Sequence, residues 1–320
     1  MAIDRRSMIL GFTATSLGLA HKAMAGVHSV GGHAFGSSWR VVAQDDIDFA
    51  QIITTVDEVV AQINRDMSPY QADSHLSVFN VGKAGAWHNL PTALCHVASE
   101  ALHIAELTGG AFDPTIGPIV SRLGFGPIKG STGHYSDIKA RSNAIRKGTS
   151  NLTLDLCGIA KGYALDQIAE SLRSRGITNA LIEMGGEVLA LGRHPDGRAW
   201  QVAVVDPNPV TFSAHRIVAP GPLALATSGH AANGLSVPIS TSHIVDPLSG
   251  RSAATSLASV SVLAPTAIHA DAFATALCAA GPLKGPALAH RLNLSALFIT
   301  DGVDAAPEII TGAFARHILV

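Results

Sequence analysis

Charge is scarce in this chain. Only 14% of its 320 residues are Asp, Glu, Lys or Arg, the formal net charge is −2, and no block of Lys or Arg occurs, so the electrostatic footprint needed to hold nucleic acid is missing. Cysteine is scarcer still: Cys95, Cys157 and Cys278 are widely separated and none forms a C-x-x-C pair. That spacing excludes a zinc knuckle and a thioredoxin-type motif, and leaves three small, mostly buried thiols with at most one disulfide. None of the fifteen His residues belongs to an H-E-x-x-H motif or a Cys/His cluster, which argues against a zinc enzyme. Beyond the N-terminus no segment approaches the ~18 consecutive apolar residues of a membrane span. What is abundant is core-forming sequence: 47% of residues are hydrophobic, enough to bury a full interior in a chain of this length.

The N-terminus reads as a targeting signal. Arg5-Arg6-Ser7 precedes an apolar run from Met8 to Ala20, and Ala23-Met24-Ala25 supplies the small residues a signal peptidase accepts. The paired arginines point to export of an already folded protein by the twin-arginine route, while the loose spacing of Ile9 and Leu10 leaves the general secretory route open. The expected division is an export signal over residues 1–25 and one domain, bilobed in shape, over residues 26–320.

Along that domain a strand is expected from Ser38 to Ala43. Ile53, Val56, Val60 and Ile63 have the spacing of an amphipathic helix over Asp46 to Ile63, and Leu94, Val97, Ala101 and Ile104 mark a second one after Pro91-Thr92 that stops at Gly109-Gly110. The polar stretch Met67 to Asn80 between them reads as a loop. A third helix runs from about Lys161 to Gly176. Strands are expected at Ala180 to Glu183, Glu187 to Leu191, Trp200 to Val205, His215 to Val218, Leu223 to Thr227 and Ser259 to Leu263. A helix over Ala267 to Ala280, a further helix, and a strand from Ala296 to Thr300 complete the chain. Runs of consecutive strands flanked by helices define an α+β fold rather than a βαβ repeat.

Two carboxylate stretches carry the strongest chemical signal. Asp271 and Thr275 lie at i and i+4 of a helix, so both side chains leave from one face, expected to front a wet cleft. Leu154-Asp155-Leu156-Cys157-Gly158-Ile159-Ala160-Lys161-Gly162-Tyr163 reads as a hydrophobic strand, a glycine turn and a helix start, a place suited to phosphate and metal. Its glycines match neither a Walker A loop nor a dinucleotide fingerprint. The remaining stretches are weaker singly. Met184-Gly185-Gly186-Glu187 reads as a hairpin; Thr227-Ser228-Gly229-His230 could cap a turn or donate to phosphate; Asp113, held extended by Pro114, could face a pocket or form an Asx turn.

In order, however, Ser68-Pro69-Tyr70 with Ser74 to Asn80, Gly110 to Pro118, Asp155 to Tyr163, Gly185-Gly186, Thr227-Ser228-Gly229, His243 to Pro247 and Asp271 to Thr275 resemble the ApbE family of FAD:protein FMN transferases, over about Phe35 to Thr300. The resemblance implies sheets of the tunnelling-fold type with packed helices. It implies FAD as substrate and Mg²⁺ held by the Gly158 carbonyl and the side chains of Asp271 and Thr275. It also implies flavin contacts from Phe35, Tyr70, Ala111, Phe112, Asp113, Asp155, Lys161 and Ile244. The reaction implied is transfer of FMN from FAD to a Thr or Ser hydroxyl of a partner flavoprotein, with release of AMP. His243 is the candidate base, oriented by Asp246, with Asp271 as the second catalytic residue. For an exported member the acceptor would be a periplasmic domain of a membrane redox complex. The chain departs from the family pattern at His230-Ala231, where an acidic residue and an aromatic are usual, and at Gly36-Ser37, where Gly-Thr is usual. Two other functions therefore stay open: an FAD pyrophosphatase yielding FMN and AMP, and a periplasmic flavin-binding protein with degraded catalysis.

Overall fold

The structure is a computed structural model that describes residues 26–131, 133–207, 213–230, 242–253, 257–300 and 308–320. The expected export signal, Met1 to Ala25, and Ala231 lie outside the described residues.

The chain begins with an antiparallel pair, β1 (Val27–Ala34) and β2 (Ser37–Gln44), joined at Phe35-Gly36, where φ is 51° and 70°. Two successive positive φ values give the tight mirror-image turn that matches strand twist. Helix α1 (Phe49–Met67) starts at Asp48, whose carboxylate accepts from Ala50 N and Gln51 N. The polar stretch that follows is not simply a loop, as the sequence suggested. It contains α2 (His75–Val81), started by Ser74, whose hydroxyl accepts from Ser77 N, and anchored by Leu76 and Phe79. Two buried residues in seven are too few for periodicity to reveal.

Strand β3 (His88–Asn89), α3 (Thr92–Leu107), α4 (Gly117–Arg122), β4 (Ile138–Arg141) and β5 (Ala144–Lys147) come next, the strands forming a small antiparallel sheet in the order β3-β5-β4. The segment Leu154 to Leu156, expected as a strand, buries both its leucines but joins no ladder. A side chain substitutes for the missing neighbour: Asn80 Nδ2 donates to Leu154 O at 2.9 Å and Asn80 Oδ1 accepts from Leu154 N at 2.8 Å. Buried on all sides, the stretch has the apolar composition of a strand without the pairing.

Helix α5 (Ala160–Ser174) leads into β6 (Ala180–Met184), β7 (Glu187–Leu191), β8 (Val202–Val205), β9 (Ala214–Val218), β10 (Ala224–Gly229), β11 (Val245–Asp246), β12 (Arg251–Ser252) and β13 (Leu257–Ala264). Helix α6 (Ala267–Arg291), β14 (Ser295–Thr300) and β15 (Glu308–Thr311) close the fold. As expected, a helix to Ala280 is followed by a further one: Gly281, with φ of 77° just before Pro282, breaks α6 into two segments.

Eight strands form one antiparallel sheet in the order β1-β2-β6-β7-β10-β13-β14-β15. Both faces are covered. Helices lie on one, and on the other Val42, Val188 and Leu297 pack against Trp200, Val202, Val204, Val218 and Phe314. This explains why β7 and β13 are buried at every position and, apart from Glu187, Ser259 and Ser261, are apolar throughout.

Helices α5 and α6 meet at Gly162. A Cβ there would overlap Ala267 O and lie 2.8 Å from Asp271 Cβ. Asp166, one turn on, accepts from Ala267 N at 2.8 Å and Ile268 N at 2.9 Å, so α5 caps the N-terminus of α6. We expect Gly162→Ala to lower unfolding stability by about 1–3 kcal/mol, as overpacking against backbone does; urea denaturation reads this, and an unchanged midpoint would contradict the contact.

Candidate active site

Three strand ends align at one end of the large sheet. The Phe35-Gly36 turn, the Gly185-Gly186 turn and the end of β10 at Ser228-Gly229 lie on neighbouring strands, tied by Gly185 N donating to Ser38 O at 3.0 Å. Gly185 and Gly186 take φ of 66° and 109°, the tight hairpin expected of Met184 to Glu187.

Against this end stands the start of α5 and the first turns of α6. A Cβ on Gly158 would lie 3.1 Å from Thr275 Cγ2, 3.3 Å from Thr275 Oγ1 and 3.2 Å from Phe112, so only glycine leaves its backbone open beside that hydroxyl. Thr275 Oγ1 also lies 3.3 Å from Ser228 Oγ. One turn earlier on α6, Asp271 Oδ2 accepts from Gly162 N at 2.9 Å. Gly158 and the Asp271/Thr275 pair, far apart in sequence, are thus brought to one place. Asp271 does not front an open cleft, however: it is 3% exposed, because α5 closes over it.

Lys161 reaches the same place. Its ammonium donates to Glu187 Oε1 at 2.5 Å, and the other carboxylate oxygen of Glu187 is buried with no hydrogen-bond partner among the described residues. Burial pushes Glu187 up to about 7 against the pull of Lys161, with the charge of Asp271 adding to the rise. Burial likewise raises Asp271, opposed by Lys161 and the Gly162 amide, whereas the two carboxylates hold Lys161 protonated, above its ordinary value, despite its own desolvation. Two buried carboxylates around one ammonium leave an excess of negative charge. An added cation fits that excess. Among the described residues no cluster of three or more His, Cys, Asp or Glu side chains forms a metal site, so any ion here would rely on mixed donors.

The flavin-side candidates surround this core. Phe112 is buried, its N–H donating to Thr108 Oγ1 at 3.1 Å, with Ala111 beside it. Asp113 forms an Asx turn, Oδ1 accepting from Thr115 N at 2.8 Å and from Thr115 Oγ1 at 2.7 Å. Asp155 N donates to Pro114 O at 2.7 Å, which ties the two acidic loops together, and Asp155 Oδ1 accepts from Cys157 N. Burial raises both Asp113 and Asp155 above the usual carboxylate range. Cys157 is exposed, Cys95 and Cys278 are buried, and all three are free thiols. Phe35 is half-buried at its turn.

Tyr70 is 70% exposed; its hydroxyl donates to Phe125 O at 3.5 Å, and the Phe125 ring meets the His243 ring edge-on at 6.1 Å. Ile244, the next residue, is buried, and its N–H donates to Ser242 Oγ at 3.0 Å. His243 is pushed down to about 4 by burial first and then by the positive charges of His230 and Lys161. Asp246 does not orient it: Asp246 Oδ1 accepts from Leu248 N at 3.0 Å, closing the turn after β11.

Glu187 and Asn80 are the positions the structure adds to the candidate site, Glu187 by pairing with Lys161 and Asn80 by holding Leu154. The signal for Glu187 was present, since an acid opening the apolar run Glu-Val-Leu-Ala-Leu is rarely buried without a partner. Asn80 carried no comparable signal, its partner being backbone 74 positions away.

An α+β chain whose candidate site lies between a sheet end and two helix starts has clear counterparts. The ApbE family profile matches residues 35–298. The FAD:protein FMN transferase of Vibrio cholerae is 32% identical over 302 residues, covering 88% of this chain and 90% of that protein. The Escherichia coli K12 protein of the same name is 29% identical, with 90% and 88% covered. The solved structure of the flavin transferase ApbE from Vibrio cholerae superposes with a TM-score of 0.82 at 31% identity, spanning 92% of this chain and 99% of that one. That of the Pseudomonas stutzeri flavinyl transferase ApbE, in apo form, gives 0.80 at 28% identity, with 92% and 97% covered. The chain belongs to the ApbE family.

A neutral His243 has a direct signature. Its ring resonances should titrate by NMR with a midpoint near about 4 rather than the ordinary ~6.5, the deprotonated form persisting as pH falls; a midpoint near 6.5 would rule out the buried setting.

Proposed function

We propose that this protein is an Mg²⁺-dependent FAD:protein FMN transferase that joins the FMN moiety of FAD to a Thr or Ser hydroxyl of a partner flavoprotein and releases AMP. The observation that carries the reading is the meeting of Gly158, Asp271 and Thr275 beside the Lys161–Glu187 pair in a chain of this family. The Gly158 carbonyl, the Asp271 carboxylate and the Thr275 hydroxyl would hold the ion. They are hard oxygen donors, few in number, with a local negative excess that suits a divalent cation. When bound, magnesium would neutralise charge on the pyrophosphate and on the departing AMP.

The rest of the work falls to side chains. Lys161, fixed by Glu187, presents a positive charge where the pyrophosphate would lie. Asp113, Asp155, Tyr70, Phe35, Ala111, Phe112 and Ile244 would line the flavin part of FAD. The acceptor oxygen would attack the flavin-side phosphorus; that O–P bond forms, the P–O–P bridge breaks, and AMP carries away the bridging oxygen. His243, deprotonated at neutral pH, would take the hydroxyl proton. Met1 to Ala25 we read as an export signal, so that the acceptor would be a periplasmic domain.

The test is incubation of the mature protein with FAD, Mg²⁺ and candidate acceptor domains, following AMP release and acceptor mass. We expect the acceptor to gain FMN. AMP without modification would make water the nucleophile and favour an FAD pyrophosphatase; neither product would favour a flavin-binding protein. His243→Ala should bind FAD normally and lose transfer by about 10²-fold or more. Asp271→Asn, which keeps an acceptor for Gly162 N, should stay folded by circular dichroism and lose Mg²⁺-dependent turnover. Full activity in either variant would remove the corresponding role.

Metal binding should also release protons. Glu187 is raised to about 7 and so is partly protonated near neutrality, and a nearby cation favours its charged form. Calorimetric Mg²⁺ titration in two buffers of different ionisation heat should therefore give different apparent enthalpies at pH 7, and the difference should shrink in Glu187→Gln. Equal enthalpies in the wild-type protein would contradict the assignment.

A further inference from the structure

The small β3-β5-β4 sheet carries a basic face that the proposed chemistry leaves unused. Lys139 and Arg146 are direct partners in the β4–β5 ladder, so two exposed cations stand opposite each other on one face. Like charges so placed repel. Arg141, two residues from Lys139, shares that face, its guanidinium 3.8 Å from the centre of the Trp87 ring, with that of Arg146 5.3 Å away. Among the described residues none of the three cations forms an ion pair, and Asp137, which directly precedes β4, pairs with none of them. A ladder that places a Lys against an Arg with no carboxylate between them gives up folding stability, and a charged partner would restore it.

One end of this sheet adjoins the candidate site. At one end of the sheet Tyr135 packs 3.5 Å from where a Gly110 Cβ would be, and Thr115 Oγ1 donates to Gly133 O at 3.2 Å, next to the Asp113 loop. On β5, Lys147 is buried beneath the sheet, its ammonium donating to Asn80 O at 2.6 Å and Leu152 O at 3.1 Å. Asn80 in turn holds Leu154, the residue before Asp155. Lys147 and its contacts lie on the opposite face, so a partner resting on the basic face would reach the cleft around the Tyr135 end of the sheet, next to the Lys139–Arg146 pair.

We propose that Lys139, Arg141 and Arg146, stacked around Trp87, form the docking surface for an acidic segment of the acceptor protein. The inference rests on the proposed use of a protein acceptor. A lipid surface fits less well, because Trp87 is half-buried under two guanidinium groups rather than free to insert.

The probe is a fluorescent peptide with one threonine flanked by aspartates and glutamates, compared with its Asn/Gln counterpart, binding being read by anisotropy. The acidic peptide should bind at low salt and weaken steeply as salt shortens the Debye length toward about 8 Å, and the neutral one should bind poorly. Lys139→Gln/Arg141→Gln/Arg146→Gln combined should weaken acidic-peptide binding about tenfold, three exposed pairs being lost. FAD affinity should not change, and the melting temperature should hold or rise as repulsion is removed. Equal binding by the variant, no preference for the acidic peptide, or charge-dependent capture of phosphatidylglycerol vesicles without peptide binding would each overturn the proposal. A peptide that binds but never gains FMN would sink the proposed reaction and leave the docking surface standing.

Discussion

The approach of α5 to α6 at Gly162 is the constraint on which the site depends. Backbone lies against backbone there, closer than any side chain allows, and the same contact lets the Gly162 amide donate to Asp271. With α6 seated that way, Thr275 falls one turn further along, against Gly158 at the mouth of α5. Asp166 fixes the axial position by capping α6 from α5. Two helices locked at their starts therefore set three potential oxygen donors, two on α6 and one in the tight turn that leads directly into α5, the rigid placement a metal centre requires.

The electrostatics follow from the packing. Burial alone would favour neutral forms of Asp271 and Glu187, and a single ammonium cannot satisfy both. The site is thus built short of positive charge, and a magnesium ion together with the Lys161 ammonium would meet a pyrophosphate with the opposite excess. His243 is treated differently. Held neutral by burial and by neighbouring cations, it keeps a lone pair free at physiological pH, though as a weaker base than an exposed imidazole. Negative charge from a bound dinucleotide would draw its basicity back up.

Much of this was legible in the sequence, for reasons that can be traced residue by residue. The α+β class, the long helices and the strands of the large sheet follow from periodicity, and the i, i+4 spacing of Asp271 and Thr275 survives intact on α6. Departures share one cause, that a side chain supplied what the backbone pattern did not. Ser74 starts a helix too short to show a period, and Asn80 replaces a neighbouring strand for Leu154. Asp271 lost its expected cleft because α5 packs over it, and Asp246 closes its own turn by accepting from Leu248 N.

The alignment of three strand ends at one edge of the large sheet has an evolutionary consequence. The ladder that gives the domain its cohesion ends before the Phe35-Gly36 and Gly185-Gly186 tips, and Phe35 tolerates a left-handed backbone that few side chains adopt readily. The glycines at these tips are held by their positive φ, so it is the exposed side chains around them that can vary without disturbing register, whereas the two helix starts opposite cannot. Recognition of a new ligand or acceptor can therefore diversify on one wall of the cleft while the charge-bearing wall stays fixed, which lets a lineage change its clients without rebuilding its chemistry.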